Sequence, residues 1–98
     1  MMYTKGNQIA ELTFDNLQIV KIAKTDSLEI LSISLEKEAT FPEHSSPREA
    51  QLIVLEGEIL FHINNTTYQL KTHQNFNFPK ATPHTVKAIE NSKFLIIR

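Results

Sequence analysis

The sequence predicts an all-β fold of about eight short strands, closed as an antiparallel barrel or packed as a sandwich. Three observations carry this. Apolar residues recur at alternate positions in most of the hydrophobic runs, the spacing of a half-buried strand. Those runs return at intervals of roughly 8–12 residues with turn signals between them. Helical patterning is confined to Gln8–Leu12 (QIAEL), enough for about one turn near the N-terminus.

Leu17 to Ala23 (LQIVKIA) is the first strand, with Leu17 and Ile19 on one face. Leu28 to Leu35 (LEILSISL) follows, with Leu31, Ile33 and Leu35 alternating with Ser32 and Ser34. Phe41 to Arg48 (FPEHSSPR) is a polar stretch containing two prolines, too short to link domains. Gln51 to Leu55 (QLIVL) is a continuous apolar run, expected as a strand buried on both faces. Glu58 to Ile63 (EILFHI) places Ile59, Phe61 and Ile63 on one face, and Thr66 to Leu70 (TTYQL) resumes the alternation after Asn64-Asn65. Asparagine tolerates positive φ better than other non-glycine residues, so this pair predicts a type I′ hairpin turn. Phe76 and Phe78 form a short strand before Pro79, and Thr85 to Ala88 and Phe94 to Ile97 (FLII) complete the set. Nothing repeats, so residues 1–98 read as one domain, with residues 1–7 frayed.

Composition narrows the function. A chain of 98 residues buries about 65% of its unfolded surface, enough for one core. Ten basic and eleven acidic residues leave a net charge of −1, which argues against a nucleic-acid partner held by a bulk positive field. The absence of cysteine removes disulfides, thiol nucleophiles and thiolate metal sites. No apolar run is long enough for a membrane helix, and the N-terminus lacks the apolar core of a signal peptide. The expected compartment is the cytoplasm, with no nucleic acid and no membrane as partner. Glycine is scarce, 2 residues in 98.

The four histidines carry the available acid–base and metal chemistry at neutral pH. His44 lies in the Pro-containing stretch and His84 follows Pro83, forty residues later. His62 alternates with Phe61 and Ile63 and should face away from them, as a structural or interface residue. His73, in KTHQN, is expected in a solvent-exposed turn, and Glu56 and Glu58 flank Gly57 in another. Ser46 lies two residues from His44, so an extended chain points both the same way. A Ser–His nucleophile pair would still lack an orienting acid and an oxyanion signature. Arg48 and Lys80 are read near the barrel mouth, either as plain surface charge or holding a carboxylate ligand. Phe41, Phe61, Phe76, Phe78 and Phe94 are expected in the core, with one or two against a pocket.

Taken in order, the His-containing polar stretch, Val54-Leu55-Glu56-Gly57-Glu58, the hairpin INNTTYQL and Phe78-Pro79-Lys80-Ala81-Thr82-Pro83-His84 resemble the cupin superfamily. The resemblance covers about residues 28–97. It implies a double-stranded β-barrel, or jelly roll, binding or transforming a small molecule in its interior, and a homodimer. In metal-binding members the first motif presents two histidines one residue apart, then a glutamate and a glycine. The second presents two glycines and then a histidine, and the three histidines and the glutamate hold one divalent metal.

Carried over residue by residue, His44 and His84 match two of the histidines, while Ser46 stands at the third and Ala50 at the glutamate. His73 and Ala81 fall at the two glycines of the second motif. The resemblance thus implies a ligand site at His44, Ser46 and His84, with His44 and His84 the remaining metal ligands, and Arg48, read at the barrel mouth, is expected to join it as a ligand-binding residue. Two neutral imidazoles leave a dication's charge uncompensated, so the site expected is weak or vestigial. Three functions stay open: a binding module without a certain cofactor, an oxygenase or isomerase using one divalent metal (Zn, Ni, Mn or Fe) on a sugar-like or enolic substrate, and a structural dimer with no pocket chemistry.

Overall fold

Nine strands and one short helix are laid out over residues 2–98, which a computed structural model describes. Met1, the first residue of the stretch read as frayed, lies outside the described residues. The helix α1 (Gln8–Glu11) precedes β1 (Leu17–Lys24), β2 (Glu29–Leu35), β3 (Thr40–His44), β4 (Ala50–Glu56) and β5 (Glu58–Ile63). Then follow β6 (Thr66–Lys71), β7 (Asn75–Phe78), β8 (His84–Ala88) and β9 (Ser92–Ile97). One sheet has the order β1-β2-β9-β4-β7 and the other β3-β8-β5-β6, with antiparallel pairing throughout. They face each other as a jelly roll that is not closed by hydrogen bonds between the sheets. No helix among the described residues is long and apolar enough to cross a membrane.

Nine strands agree with the expected count of about eight, with one correction to the set. The strand hidden in the sequence is β3, whose Pro42 interrupts any strand-like run. A proline removes one ladder donor and is tolerated on an edge strand, and β3 is the edge of its sheet. Its register against β8 shifts between Phe41 and His44, so the chain bulges around the proline and then returns to pairing. A second correction concerns β4. Leu52 and Val54 are buried, but Gln51 is exposed and Ile53 and Leu55 are half-buried, so this strand has one core face.

The core lies between the sheets and is built from the alternating faces read above. Ile33 and Leu35 of β2, Leu52 and Val54 of β4, Ile59 and Phe61 of β5 and Phe94 of β9 are almost fully buried. Burying a side chain such as Phe61 contributes about 2–3 kcal/mol.

With so little glycine, asparagine and other side chains take the left-handed turns. Asn64 and Asn65 have φ of 51° and 61° and join β5 to β6, with Ile63 paired to Thr66, which makes the predicted two-residue turn. His73 (φ 71°) and Ala81 (φ 57°), the two residues at the second motif's glycine positions, also adopt positive φ. Gly57 (φ 84°) is a close approach: a Cβ there would lie 2.8 Å from Ser92 Cα and collide with the Asn91 carbonyl oxygen.

Candidate functional site

The β3–β8 pairing brings two distant histidines together. His44 ends β3, His84 begins β8, and the two are direct cross-strand partners. Their ring centroids are 4.2 Å apart at an interplanar angle of 68°. Phe41 stacks on His44 at 3.8 Å, and Phe61 and Phe78 pack on His84 at 5.0 and 4.7 Å. His84 is 3% exposed and His44 is half-buried.

Each imidazole is held through the same nitrogen. His44 Nδ1 donates to the Pro42 carbonyl oxygen at 2.7 Å, and His84 Nδ1 donates to the Thr82 carbonyl oxygen at 2.9 Å. A carbonyl oxygen only accepts, so both Nδ1 atoms carry the proton and each neutral ring keeps its lone pair on Nε2. Both carbonyls belong to the residue two positions before the histidine, and Pro42 and Pro83 stiffen those two approaches. Burial lowers the His84 pKa below the ordinary imidazole value. The Thr82 hydrogen bond opposes that shift and the neighbouring His44 adds to it.

A cavity of about 390 Å³ lies against this pair. Its lining includes Phe61, Phe78, Val86, Phe94 and Ile96 as an apolar floor, with both histidines, Ser45 and Ser46 on the wall. Ser46 is 2% exposed and its hydroxyl donates to the Arg48 carbonyl oxygen at 2.6 Å, so its only proton is committed to the turn after β3. Arg48, read as a ligand residue, does not line this cavity; its Nη2 donates to the Asp26 carbonyl oxygen at 3.1 Å. Lys80 is exposed and does not line it either. His73 is exposed in a turn, and exposed His62 pairs with Thr67 Oγ1 at 2.8 Å, both outside the site.

The structure adds cavity residues that the sequence did not point to: Lys21 of β1, Glu29 of β2 and Arg98 beyond β9. The backbones of Glu29 and Arg98 exchange two hydrogen bonds, of 2.6 and 2.9 Å. Arg98 Nε also donates to Glu29 Oε1 at 2.8 Å, while Lys21 and Lys24 reach Oε2 at 3.1 and 3.3 Å. The Arg98 guanidinium, foremost, and the two lysines hold the Glu29 carboxyl down to about 2, against the pull of partial burial. These residues are far apart in sequence, and no short motif joins them.

A resident dication does not fit the side chains present. Among the described residues no three His, Cys, Asp or Glu side chains cluster as a metal would require. The two Nε2 atoms are the donors on offer: Ser46 is tied to the backbone, and Ala50, inward on β4 opposite Phe78, offers no ligand atom. What the arrangement can do is accept hydrogen bonds from a buried ligand.

Comparisons with known proteins agree on the architecture. A family model described as a cupin domain matches residues 31–97. No curated protein matches the chain. Among solved structures, an RmlC-like cupin protein from Desulfovibrio desulfuricans is similar with a TM-score of 0.85 and 23% identity, over 98% of this chain and 95% of that one. A conserved protein of unknown function from Streptococcus pyogenes matches with a TM-score of 0.83 and 24% identity, over 99% and 88%. KdgF from Halomonas sp. matches with a TM-score of 0.75 and 21% identity, over 84% and 76%. At these identities the likeness is one of fold.

Proposed function

The chain belongs to the cupin family, and from that premise we propose that it binds a small organic molecule inside the barrel, at a vestigial form of the family's metal site. The observation that carries this is the pair of Nε2 lone pairs beside the cavity, set by two Nδ1 hydrogen bonds and without a hydrogen-bond partner of their own among the described residues. Two acceptors beside a largely apolar cavity suit a ligand with a hydroxyl or N–H donor and a flat or aliphatic body. The volume is at the small end of the range for ligand sites. Metal chemistry is not part of this reading, because the donor set is two imidazoles without a carboxylate. The protein acts as a homodimer, the second copy covering the open edge of β1, where Ile19 is 48% exposed.

The test is a fragment screen by nuclear magnetic resonance on isotope-labelled protein. Hits should perturb the imidazole signals of His44 and His84 and the ring of Phe78, and should lose affinity in His44→Phe. Hits that map consistently elsewhere, or bind His44→Phe equally well, would sink the reading.

A further inference from the structure

The rim of the cavity carries a charge arrangement that the histidine pair does not use. Glu29 is one carboxylate contacted by three cations, Lys21, Lys24 and Arg98, and Arg48 joins Lys24, Glu29 and Arg98 around an adjoining surface pocket. Four cationic side chains therefore border a single anion. A guanidinium offers five N–H donors in a planar fork. Here Nε serves Glu29, and Nη1 turns into the cavity wall, 3.5 Å from Ser46 Oγ. Lys21 and Arg98 line the cavity itself, whereas Lys24 and Arg48 sit outside it.

From this juxtaposition we propose that the cavity takes a small carboxylic acid with an apolar body, its carboxylate held at the rim by Lys21 and Arg98 and its body lying along Phe61 and Phe78. The proposal deepens the small-molecule reading and rests on it. Glu29 displays the coordination a second carboxylate would copy, one oxygen on the guanidinium and the other on an ammonium. Glu29 orients Arg98 and also competes for it. Removing its charge while keeping its shape therefore leaves the rim more attractive to an incoming anion. That sign is opposite to what loss of a merely structural ion pair would give.

The experiment titrates a panel of hydroxyl-bearing straight-chain and phenyl-substituted carboxylates, each against its own primary amide, into the labelled protein. In the parent protein the acids should bind about tenfold more tightly than the amides, and the advantage should shrink as salt is raised. Lys21→Gln, a change at a half-exposed side chain, should bring acids and amides close to parity. Glu29→Gln should widen the gap; if that variant fails to fold, the Lys21→Gln titration decides alone. Acids and amides of equal affinity in the parent would overturn the rim proposal and leave the cavity reading standing. If neither class binds, the cavity reading falls and the rim proposal with it.

Discussion

His44 and His84 are cross-strand partners, and each lends its Nδ1 proton to the carbonyl oxygen two residues earlier in its own strand approach. Forty residues of sequence separate them, yet one pairing of β3 with β8 sets both rings at the same depth, 4.2 Å apart. With His84 buried and its pKa lowered, that ring is neutral at neutral pH.

Acid should act on His84 before it acts on Glu29. The folded-state pKa of His84 is depressed, so the unfolded chain takes up its proton first. Stability from the neutral ring is present above the unfolded imidazole value of about 6.5 and is lost as pH falls below it. Glu29 adds a second, lower window: its contribution is present above its unfolded value of 4.5 and is lost as pH falls toward about 2. Chemical denaturation followed across pH should show two separate declines. His84→Phe should remove the upper one. A parent profile flat between pH 7 and about 5 would contradict the assignment of a neutral, buried His84.

Ala81 is a strained position with a simple remedy. Its φ of 57° lies in the left-handed region, where a Cβ costs about 1 kcal/mol and glycine is at ease. Its backbone N–H donates to the Ser46 carbonyl oxygen at 2.8 Å, which keeps the loop closed on the turn beside the site. Ala81→Gly should therefore be neutral to stabilising by up to about 1 kcal/mol, net of the entropy glycine adds to the unfolded chain. Asn65→Gly, at φ 61°, should behave the same way. Gly57→Ala is the contrasting case, expected to lose several kcal/mol because the new Cβ meets backbone at Asn91 and Ser92. Thermal denaturation of the three variants would settle the order, and a destabilised Ala81→Gly would show that the loop is held by something other than its φ.

Most of this geometry was legible in the sequence where local pattern decides it. The alternation of Ile59, Phe61 and Ile63 named the buried face of β5, and Asn64-Asn65 named the turn. The motif context put His44 and His84 in one pocket, which spacing alone would not have done. β3 escaped because Pro42 breaks the local strand pattern, while tertiary pairing with β8 overrides it on an edge. The rim escaped for a different reason. Glu29 and Arg98 sit 69 positions apart and meet only because β9 returns beside β2, a relation no local pattern encodes. Arg48, closer in sequence to the site, ends on the outside, bonded to Asp26.

Self-association should be measurable directly. β1 is the outer strand of its sheet and Ile19 on it is half-exposed, and a second copy would cover both. Light scattering at micromolar concentration should give twice the mass of one chain, and Ile19→Lys should shift the protein toward monomer. A parent protein that scatters as a monomer would end the homodimer proposal.

The vestigial site should be convertible. Ser46 lines the cavity beside His44, and Ala50 faces inward opposite Phe78, whose ring lies 4.7 Å from His84. Ser46→His with Ala50→Glu would supply a third imidazole and a carboxylate that compensates a dication's charge. Without metal the double variant should be less stable than the parent by several kcal/mol, since a buried glutamate lacks a partner and the Ser46–Arg48 hydrogen bond is lost. With metal the balance reverses, because anything that binds only the folded state stabilises it. Calorimetric titration with Zn²⁺ or Ni²⁺ should show affinity higher than the parent's by orders of magnitude, and the melting temperature should rise on adding metal and fall on chelation. The parent should show neither effect. A folded double variant that gains no affinity would mean that the side chains at 44, 46, 50 and 84 do not converge on one point, and the vestigial-site reading would go with them.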